Sequence, residues 1–476
     1  MALAQPFTIP KLFLTELVEP TDRDAILVNL DTGSESDQYA HRDAAHPGFE
    51  EPEEKSVYPF FPLVLCSDGT PWAEATLYLL DRLELDYAPK MSNYSTSASD
   101  LAFYRRYLEN SGTEWTDFPK DKNRRPTYKF RRYLFTLHTA GEISSSYANR
   151  IIRSVIRFYK HLVKSKYLVL ENPPWDEKTV TIFFGTKEGQ RHSKELASTD
   201  LPLKESRSKN PYDDRIEDGG KIRPLPKKEQ HALITVLRQL RNTEMTLMHV
   251  SSLSTGVRIQ TVSTLRKGHF LTPPSKIRRD YIPIPAGPLT GIDTKRNKRG
   301  IIVMPKWLYV SLYTYLQSDR WKHRASKSPL GYSIDQFLFL SQRGQSFYDT
   351  QEDIIAGRLR EDLRSVKTGQ GIRAFMTNRV IPAMRKILED QDFTYQFHDL
   401  RGTYGLNYLE FNQPRIADGS TSREKVLQDL AQLLWHDSTE ITERYIKYRE
   451  STNWAREAND GWFAHLEDLA SQAMAT

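Results

Sequence analysis

Five side chains in the second half of the chain have types and spacings suited to phosphoryl chemistry: Arg258, His398, Arg401, His436 and Tyr445. Arg258 follows a glycine in Thr255-Gly256-Val257-Arg258-Ile259, inside an apolar helical stretch where a hydrophobe would be ordinary. A structural arginine paired to a core carboxylate is the plain alternative there. His398-Asp399-Leu400-Arg401 sets an imidazole and a guanidinium three residues apart, on one helix face. His436 and Tyr445 are nine residues apart, about two and a half turns on an unbroken helix. Their convergence needs a break, and Asp437-Ser438 is a suitable helix start. Each cluster alone is unspecific, since HxxR recurs by chance in many proteins. Their chemistry is nevertheless coherent. Two arginines offer bidentate donors to non-bridging phosphate oxygens and stabilise a pentavalent phosphorane. Two histidines and a lysine can move protons to and from the attacking and leaving oxygens. A tyrosine hydroxyl can attack, leaving a covalent phosphodiester that keeps bond energy for religation. An arginine pair neutralises the phosphate without a metal, and no DxD-type acidic cluster lies near these residues.

The order Arg, Lys, HxxR, His, Tyr resembles the tyrosine recombinase (phage integrase) family. Thr255-Gly256-Val257-Arg258 resembles its first-arginine box, and His398-Asp399-Leu400-Arg401-Gly402-Thr403 its HxLRHT-type box. Leu434-Trp435-His436-Asp437-Ser438 through Glu443-Arg444-Tyr445 resembles its LGHxS…RY box. Asp293 to Gly300 followed by Ile301-Ile302-Val303 resembles the β-hairpin that carries the catalytic lysine, and Phe337 to Ser341 resembles the strand before the later helices. The resemblance covers roughly residues 95–450 and implies roles. Arg258 and Arg401 would clamp the scissile phosphate. His398 and His436 would assist proton transfer, Lys295 would protonate the leaving 5′ oxygen, and Tyr445 would be the nucleophile. Lys298, across the hairpin tip, is the alternative lysine, and Tyr448 the alternative nucleophile. Two positions depart from the family pattern. Thr261 stands where an acidic residue usually buttresses the first arginine, and Trp435 where a glycine usually precedes the second histidine, which would narrow the pocket. Residues 413–427 and 317–370 are longer than in compact members.

The elements that must position these groups are mostly helical. Pro226 to Asn242, Met245 to Leu265 and Leu308 to Leu316 read as helices, Tyr281–Pro285 and Gly300–Pro305 as strands flanking a polar tip, and Phe337–Ser341 as a short strand. Upstream, Ser145 to Tyr167 reads as a helix with Arg150, Arg153, Arg157, Lys160 and Lys164 in one stripe at steps of 3 and 4. Ile152, Val155, Ile156, Tyr159 and Leu162 lie on another face. A solvated helix face usually alternates charge signs. No acidic residue lies between Ser144 and Lys166, so the stripe reads as a phosphate-binding surface for duplex DNA. The fold expected is mainly α with a small β-sheet (α+β). The resemblance implies a helical core-binding domain and a catalytic domain closing as a C-shaped clamp on DNA. The divisions expected are an acidic, loosely ordered segment over 1–57, a small element over 58–92, the helical module over 93–170, a Pro-, Gly- and Ser-rich linker over 171–221, the catalytic domain over 222–450 and a tail over 451–476. The tail's Trp462, Phe463, Leu466, Leu469 and Met474 suit docking on its own domain or on a neighbouring subunit.

The totals set limits. A chain of 476 residues exceeds one ordinary domain. A single cysteine excludes an internal disulfide framework and a Cys-rich zinc site. The longest apolar run, near Phe60 to Cys66, falls far short of the ~20 residues that span a bilayer. No basic-then-apolar leader opens the chain. A soluble, cytoplasmic protein is expected, associated with the nucleoid if bacterial, with no cofactor and no membrane partner. The net charge of +6 hides opposed blocks, acidic over 31–55 and basic over 104–166, which fits a polyanion partner. By the resemblance, the activity would be site-specific DNA recombination through a 3′-phosphotyrosine and a Holliday junction, by a homotetramer, without ATP or metal. An accessory DNA-bending or directionality protein would be a further partner. The rivals are a type IB topoisomerase, a telomere resolvase and a DNA-binding regulator that does not cut.

Overall fold

The computed structural model describes residues 3–13, 15–17, 26–29, 38–43, 57–86, 89–185, 191–203, 215–356 and 366–459. The chain forms two compact units, residues 1–208 with 357–365 and residues 209–356 with 366–476. The division falls inside the stretch whose composition reads as a linker.

In the first unit, β1 (Gln5–Phe13), β2 (Thr15–Leu17), β3 (Ile26–Asn29), β4 (Gln38–Asp43) and β5 (Val57–Leu65) precede α1 (Ala73–Glu84), α2 (Met91–Ser111), α3 (Pro126–Thr139) and α4 (Ser145–Lys164), then β6 (Glu177–Gly185) and β7 (Arg191–Thr199). β1 pairs antiparallel with β5 from Gln5↔Leu65 to Phe13↔Val57, and β4 lies between β2 and β3. β1 to β4 lie in the segment over 1–57 expected to be loosely ordered, although most of its acidic residues fall outside them. β6 and β7 form a second hairpin in the stretch expected as a linker. Neighbouring residues fasten that stretch to the helices. Trp175, Leu201 and Leu203 are buried in their core, Tyr128 Oη donates to Asp200 Oδ2 at 2.7 Å, and the Asn149 side chain bonds both backbone groups of Leu203.

α4 begins where the Ser144 hydroxyl accepts the Tyr147 amide at 3.1 Å, satisfying one orphan donor. It buries Ala148, Ile151, Ile152, Val155, Phe158, Tyr159 and Leu162, the helical period expected of a core face. Arg150, Arg153, Arg157, Lys160 and Lys164 are all exposed. Arg150 is held from outside the helix: its Nη2 donates to the buried Asp100 of α2 at 2.8 Å. Sequence within α4 gave no sign of that partner. Among the described residues, Arg153, Arg157 and Lys164 make no ion pair.

The second unit runs β8 (Ile216–Glu217), β9 (Lys221–Ile222), α5 (Lys227–Leu240), α6 (Thr243–Thr255), α7 (Ile259–Ser263), β10 (Tyr281–Ala286), β11 (Gly300–Pro305), α8 (Lys306–Gln317), α9 (Asp319–Ala325), α10 (Gln351–Ala356), α11 (Gln370–Phe375), α12 (Ile381–Leu388), α13 (Asp399–Ala417), α14 (Arg423–Leu433) and α15 (Thr439–Asn459). The fold is therefore mainly α with small antiparallel sheets. The helix expected over Met245 to Leu265 is two. Gly256 takes a left-handed φ of 69° and ends α6, and the chain turns before α7. Phe337 to Ser341, expected as a strand, is buried as far as Leu340 but among the described residues pairs through isolated bridges, Arg266↔Phe337 and Leu340↔Ser346. α15 continues past residue 450, where the tail was expected to begin, and Trp462 to Met474 lie outside the described residues. Among the described residues no helix is long and apolar enough to cross a membrane.

Away from the candidate site, Glu244 of α6 is fully buried in this unit. Arg320 grips both its oxygens at 2.7 Å, Arg324 approaches at 3.0 Å and Tyr315 donates at 2.8 Å. Burial would raise its carboxyl pKa, but the Arg320 hydrogen bond and the Arg324 charge hold it below the ordinary 4.5. A depressed carboxylate stabilises the fold above its unfolded pKa, and that contribution is lost as pH falls through the folded value. Glu244→Gln should cost about 3–5 kcal/mol at pH 7, since it strands buried guanidinium charge. Urea unfolding of both proteins at pH 7 and pH 4 checks this; the gap should narrow at pH 4.

Candidate active site

The three sequence clusters meet at one point, and Arg401 joins them. It lies in the first turn of α13, is buried, and donates Nη1 to Gly256 O at 2.9 Å, Nη2 to Leu434 O, and Nε to Asp218 Oδ2 at 2.6 Å. Gly256 and Leu434 end α6 and α14, so two helix C-termini face one guanidinium. Arg258 stands at the N-cap of α7, just after the Gly256 turn, and its Nη2 donates to Asp218 Oδ1 at 3.0 Å. Burial, then the nearby Arg401 charge, lower the Arg258 pKa to about 10. Its Nε is buried with no acceptor among the described residues.

The lysines lie on the β10–β11 hairpin, whose register runs from Tyr281↔Pro305 to Ala286↔Gly300. At its tip Arg296 and Asn297 take left-handed φ of 61° and 53°, and Thr294 Oγ1 donates to Lys298 O at 2.6 Å. The two side chains part at this turn. Lys295 Nζ reaches Gly219 O at 2.8 Å, beside Arg258, whereas Lys298 Nζ turns to Trp435 O and the Asp437 carboxylate. Burial, then the Arg258 charge, lower the Lys295 pKa. Thr261, in the place of the family's acidic residue, donates to Asp293 O at 3.1 Å and so braces the hairpin's approach.

His398 caps α13 and donates Nε2 to Asp218 O at 2.9 Å. Burial lowers its pKa to about 4, leaving it neutral at pH 7. His436 lies in the loop between α14 and α15, the break that its spacing from Tyr445 requires. Its Nε2 is 3.1 Å from Asp218 Oδ2 and its Nδ1 is 2.9 Å from the buried Thr442 hydroxyl. A carboxylate only accepts, so Nε2 carries the proton. Burial lowers this pKa too, and in the neutral ring Nδ1 accepts from Thr442. Tyr445, on the second turn of α15, is buried against Gly405 of α13 and donates Oη to Asp218 Oδ2 at 2.9 Å. Burial, then the Asp218 charge, push its pKa well above 10. Tyr448 instead packs on the apolar cluster of Ile216, Ile222, Leu409 and Leu430.

Trp435 does not narrow the pocket. It takes a left-handed φ of 55°, the conformation that favours glycine, and turns its ring onto β11. Its Nε1 donates to Ile301 O at 3.1 Å, and a Cβ at Gly300 would lie 2.5 Å from the ring. The ring thus fastens the lysine hairpin to the histidine loop.

One site residue escaped the sequence reading. Asp218 accepts from Arg258, Arg401, His436 and Tyr445, and all six candidate groups bond either it or Gly219. Burial would raise its carboxyl pKa, but the His436 hydrogen bond and the Arg401 and Arg258 charges hold it well below the carboxylate range. The signal was an Asp-Gly-Gly tip between Ile216 and Ile222, a tight-hairpin signature inside a stretch read as linker.

No family model and no curated protein matches the chain. In solved structures it is similar in fold to recombinases and integrases bound to DNA. The XerH site-specific recombinase, bound to a palindromic difH substrate, is 10% identical with a TM-score of 0.46, covering 81% of this chain and 89% of that one. The Tn1549 transposon integrase, in complex with circular intermediate DNA, is 14% identical with a TM-score of 0.42, over 78% and 94%. A lambda integrase dimer bound to a COC′ core site is 10% identical with a TM-score of 0.39, over 77% and 93%.

The contact between Gly405 and the Tyr445 ring yields a controlled test. A Cβ at Gly405 would lie 2.5 Å from Tyr445 Cε1, whereas at Gly371 it would meet Phe347 at an ordinary 3.5 Å. Gly405→Ala should cost about 1–3 kcal/mol by overpacking. Gly371→Ala, also helical, should be neutral or stabilising by up to ~1 kcal/mol. Thermal and urea unfolding of both variants decide it.

Proposed function

We propose that this chain is a site-specific DNA recombinase of the tyrosine type, which cuts and rejoins duplex DNA through a 3′-phosphotyrosine on Tyr445. The observation that carries this reading is the convergence of Arg258, Lys295, His398, Arg401, His436 and Tyr445 on a single anionic tip. Donors that gather round a carboxylate are the donors a phosphodiester needs, at similar distances. In the proposed step Tyr445 Oη bonds to phosphorus and the P–O5′ bond breaks. The guanidiniums of Arg258 and Arg401 hold the non-bridging oxygens and neutralise the charge that grows on them. The two histidines hydrogen-bond the phosphoryl group, and the phenolic proton leaves to water or to an imidazole nitrogen. Lys295 Nζ, with its lowered pKa, gives its proton to the departing 5′ oxygen. Attack by a 5′-hydroxyl on the phosphotyrosine reverses these bonds and rejoins DNA. The reading draws on neither ATP nor metal, because the phosphotyrosine conserves the bond and two guanidiniums balance the phosphate.

The same reading takes the exposed α4 stripe as a contact to DNA phosphates. It also takes a homotetramer, a Holliday junction and an accessory protein as the setting of the reaction, following the family resemblance in the sequence. Arg153→Ala and Arg157→Ala should each flatten the slope of log affinity against log salt by about 1, without changing sequence preference. Arg150→Ala should also lower stability, since it strands Asp100. Fluorescence anisotropy on labelled duplex at several salt concentrations measures the slopes.

A nicked suicide duplex spanning the junctions that flank the gene tests the chemistry. Wild type should give a denaturant-stable protein–DNA adduct without added metal, and Tyr445→Phe should give none. Lys295→Ala should slow cleavage by about 10²–10⁴-fold, with Lys298→Ala much milder. A 5′-bridging phosphorothiolate, whose thiolate leaves unprotonated, should rescue Lys295→Ala. Adduct formation by Tyr445→Phe would overturn the nucleophile. Relaxation of any supercoiled plasmid without exchange between sites would favour a topoisomerase.

A further inference from the structure

The hairpin of β8 and β9 is small, yet its tip holds the centre of the site. Two residues pair with two, the Asp218 amide donates to Gly220 O at 2.9 Å, and Gly219 takes a left-handed φ of 66°. Ile216 and Ile222 anchor its base in an apolar cluster with Leu434 and Tyr445. Asp218 Oδ1 and Oδ2 occupy the donors of Arg258 and Arg401 that a phosphate's non-bridging oxygens would use, and Oδ2 takes the Tyr445 hydroxyl. A carboxylate is planar with two oxygens, whereas a phosphodiester is tetrahedral with four. Arg258 Nε, buried without an acceptor among the described residues, is the donor this smaller anion leaves over.

We propose that the hairpin 216–222 is an internal plug, whose Asp218 carboxylate stands in for the scissile phosphate and closes the site until DNA displaces it. This deepens the recombinase reading and rests on it for the identity of the displacing anion. Both anions need the same guanidinium hydrogens, so they exclude one another. A protein that is mostly plugged binds its substrate more weakly by the fraction that is open. The plug also restrains the nucleophile, because a Tyr445 hydroxyl donating to Asp218 is not free to attack phosphorus. Two other roles for Asp218 make opposite predictions. As a brace for Arg258, in place of the acidic residue absent at Thr261, or as a base for Tyr445, its loss would slow cleavage.

The test compares full-length wild type, Asp218→Asn and Gly219→Ala. The second variant keeps the carboxylate but strains the tip, since Gly219 holds a left-handed φ of 66° that alanine rarely adopts; the Lys295 Nζ beside its Cβ is a flexible end that can move aside, and a 5′-bridging phosphorothiolate in the nicked duplex removes the need for that lysine. It carries the test if Asp218→Asn does not fold. In the first arm, thermal unfolding is followed in inorganic phosphate against chloride at equal ionic strength. Phosphate should raise the Tm of the variants by several degrees and leave wild type nearly unmoved. In the second arm, the nicked duplex should form adduct at least tenfold faster with Asp218→Asn, and severalfold faster with Gly219→Ala. No phosphate-dependent shift in either variant overturns the plug. So does slower or unchanged adduct formation in both variants where wild type does form it. A phosphate shift in the variants with no adduct from any protein would instead sustain the plugged anion site and sink the recombinase reading.

Discussion

The second unit is organised around the Arg401 guanidinium. A buried cation is costly unless every hydrogen finds an acceptor, and this one draws its acceptors from segments 145, 33 and 183 residues away. Two of them are carbonyls at the ends of α6 and α14, groups with no partner inside their own helices. The guanidinium therefore satisfies two helix ends at once, while its remaining edge faces the reactive centre. Structure and chemistry are not separable at this residue, because the bonds that fix the helices also aim the Nε.

Around that centre the charges do not balance. Three cations, Arg258, Lys295 and Arg401, face one carboxylate, while burial holds His398 and His436 towards the neutral form. Burial first, and then a neighbouring guanidinium charge, lower the pKa values of Arg258 and Lys295. Backbone strain lies beside them. Arg296, Asn297 and Trp435 all adopt left-handed conformations at the hairpin tip and the histidine loop. The compensation is visible in the Trp435 ring, which spans from one strained segment to the other.

Sequence revealed the candidate site groups because their signals are local. His398 and Arg401 share a helix face, and His436 with Tyr445 needed a break where Asp437-Ser438 offered one. The amphipathic period of α4 was legible for the same reason. What could not be read was decided by distant partners. Asp100 claims Arg150 from another helix, and Asp218 reaches residues about 180 to 227 positions away. Gly256 could be noticed in sequence, but whether a helix runs through a glycine or ends at it depends on what receives the freed carbonyl. Here Arg401 does, and one expected helix became two. The strands of the N-terminal segment were hidden for another reason: β2 to β4 are short, and β1 carries Pro6 and Pro10, residues unusual within a strand.

The helix that bears Tyr445 runs on without a break to Asn459. Fourteen residues at 1.5 Å each make a rigid arm of about 21 Å beyond the Tyr445 hydroxyl. A helix transmits tilt along its length with little bending, so displacing the far end by a few ångströms rotates the near end by several degrees. The Tyr445 ring turns within the close packing of Gly405 and His436, where such a rotation changes the direction of Oη. Whatever grips the outer end of this rod thus holds a mechanical handle on the Tyr445 oxygen without touching the pocket.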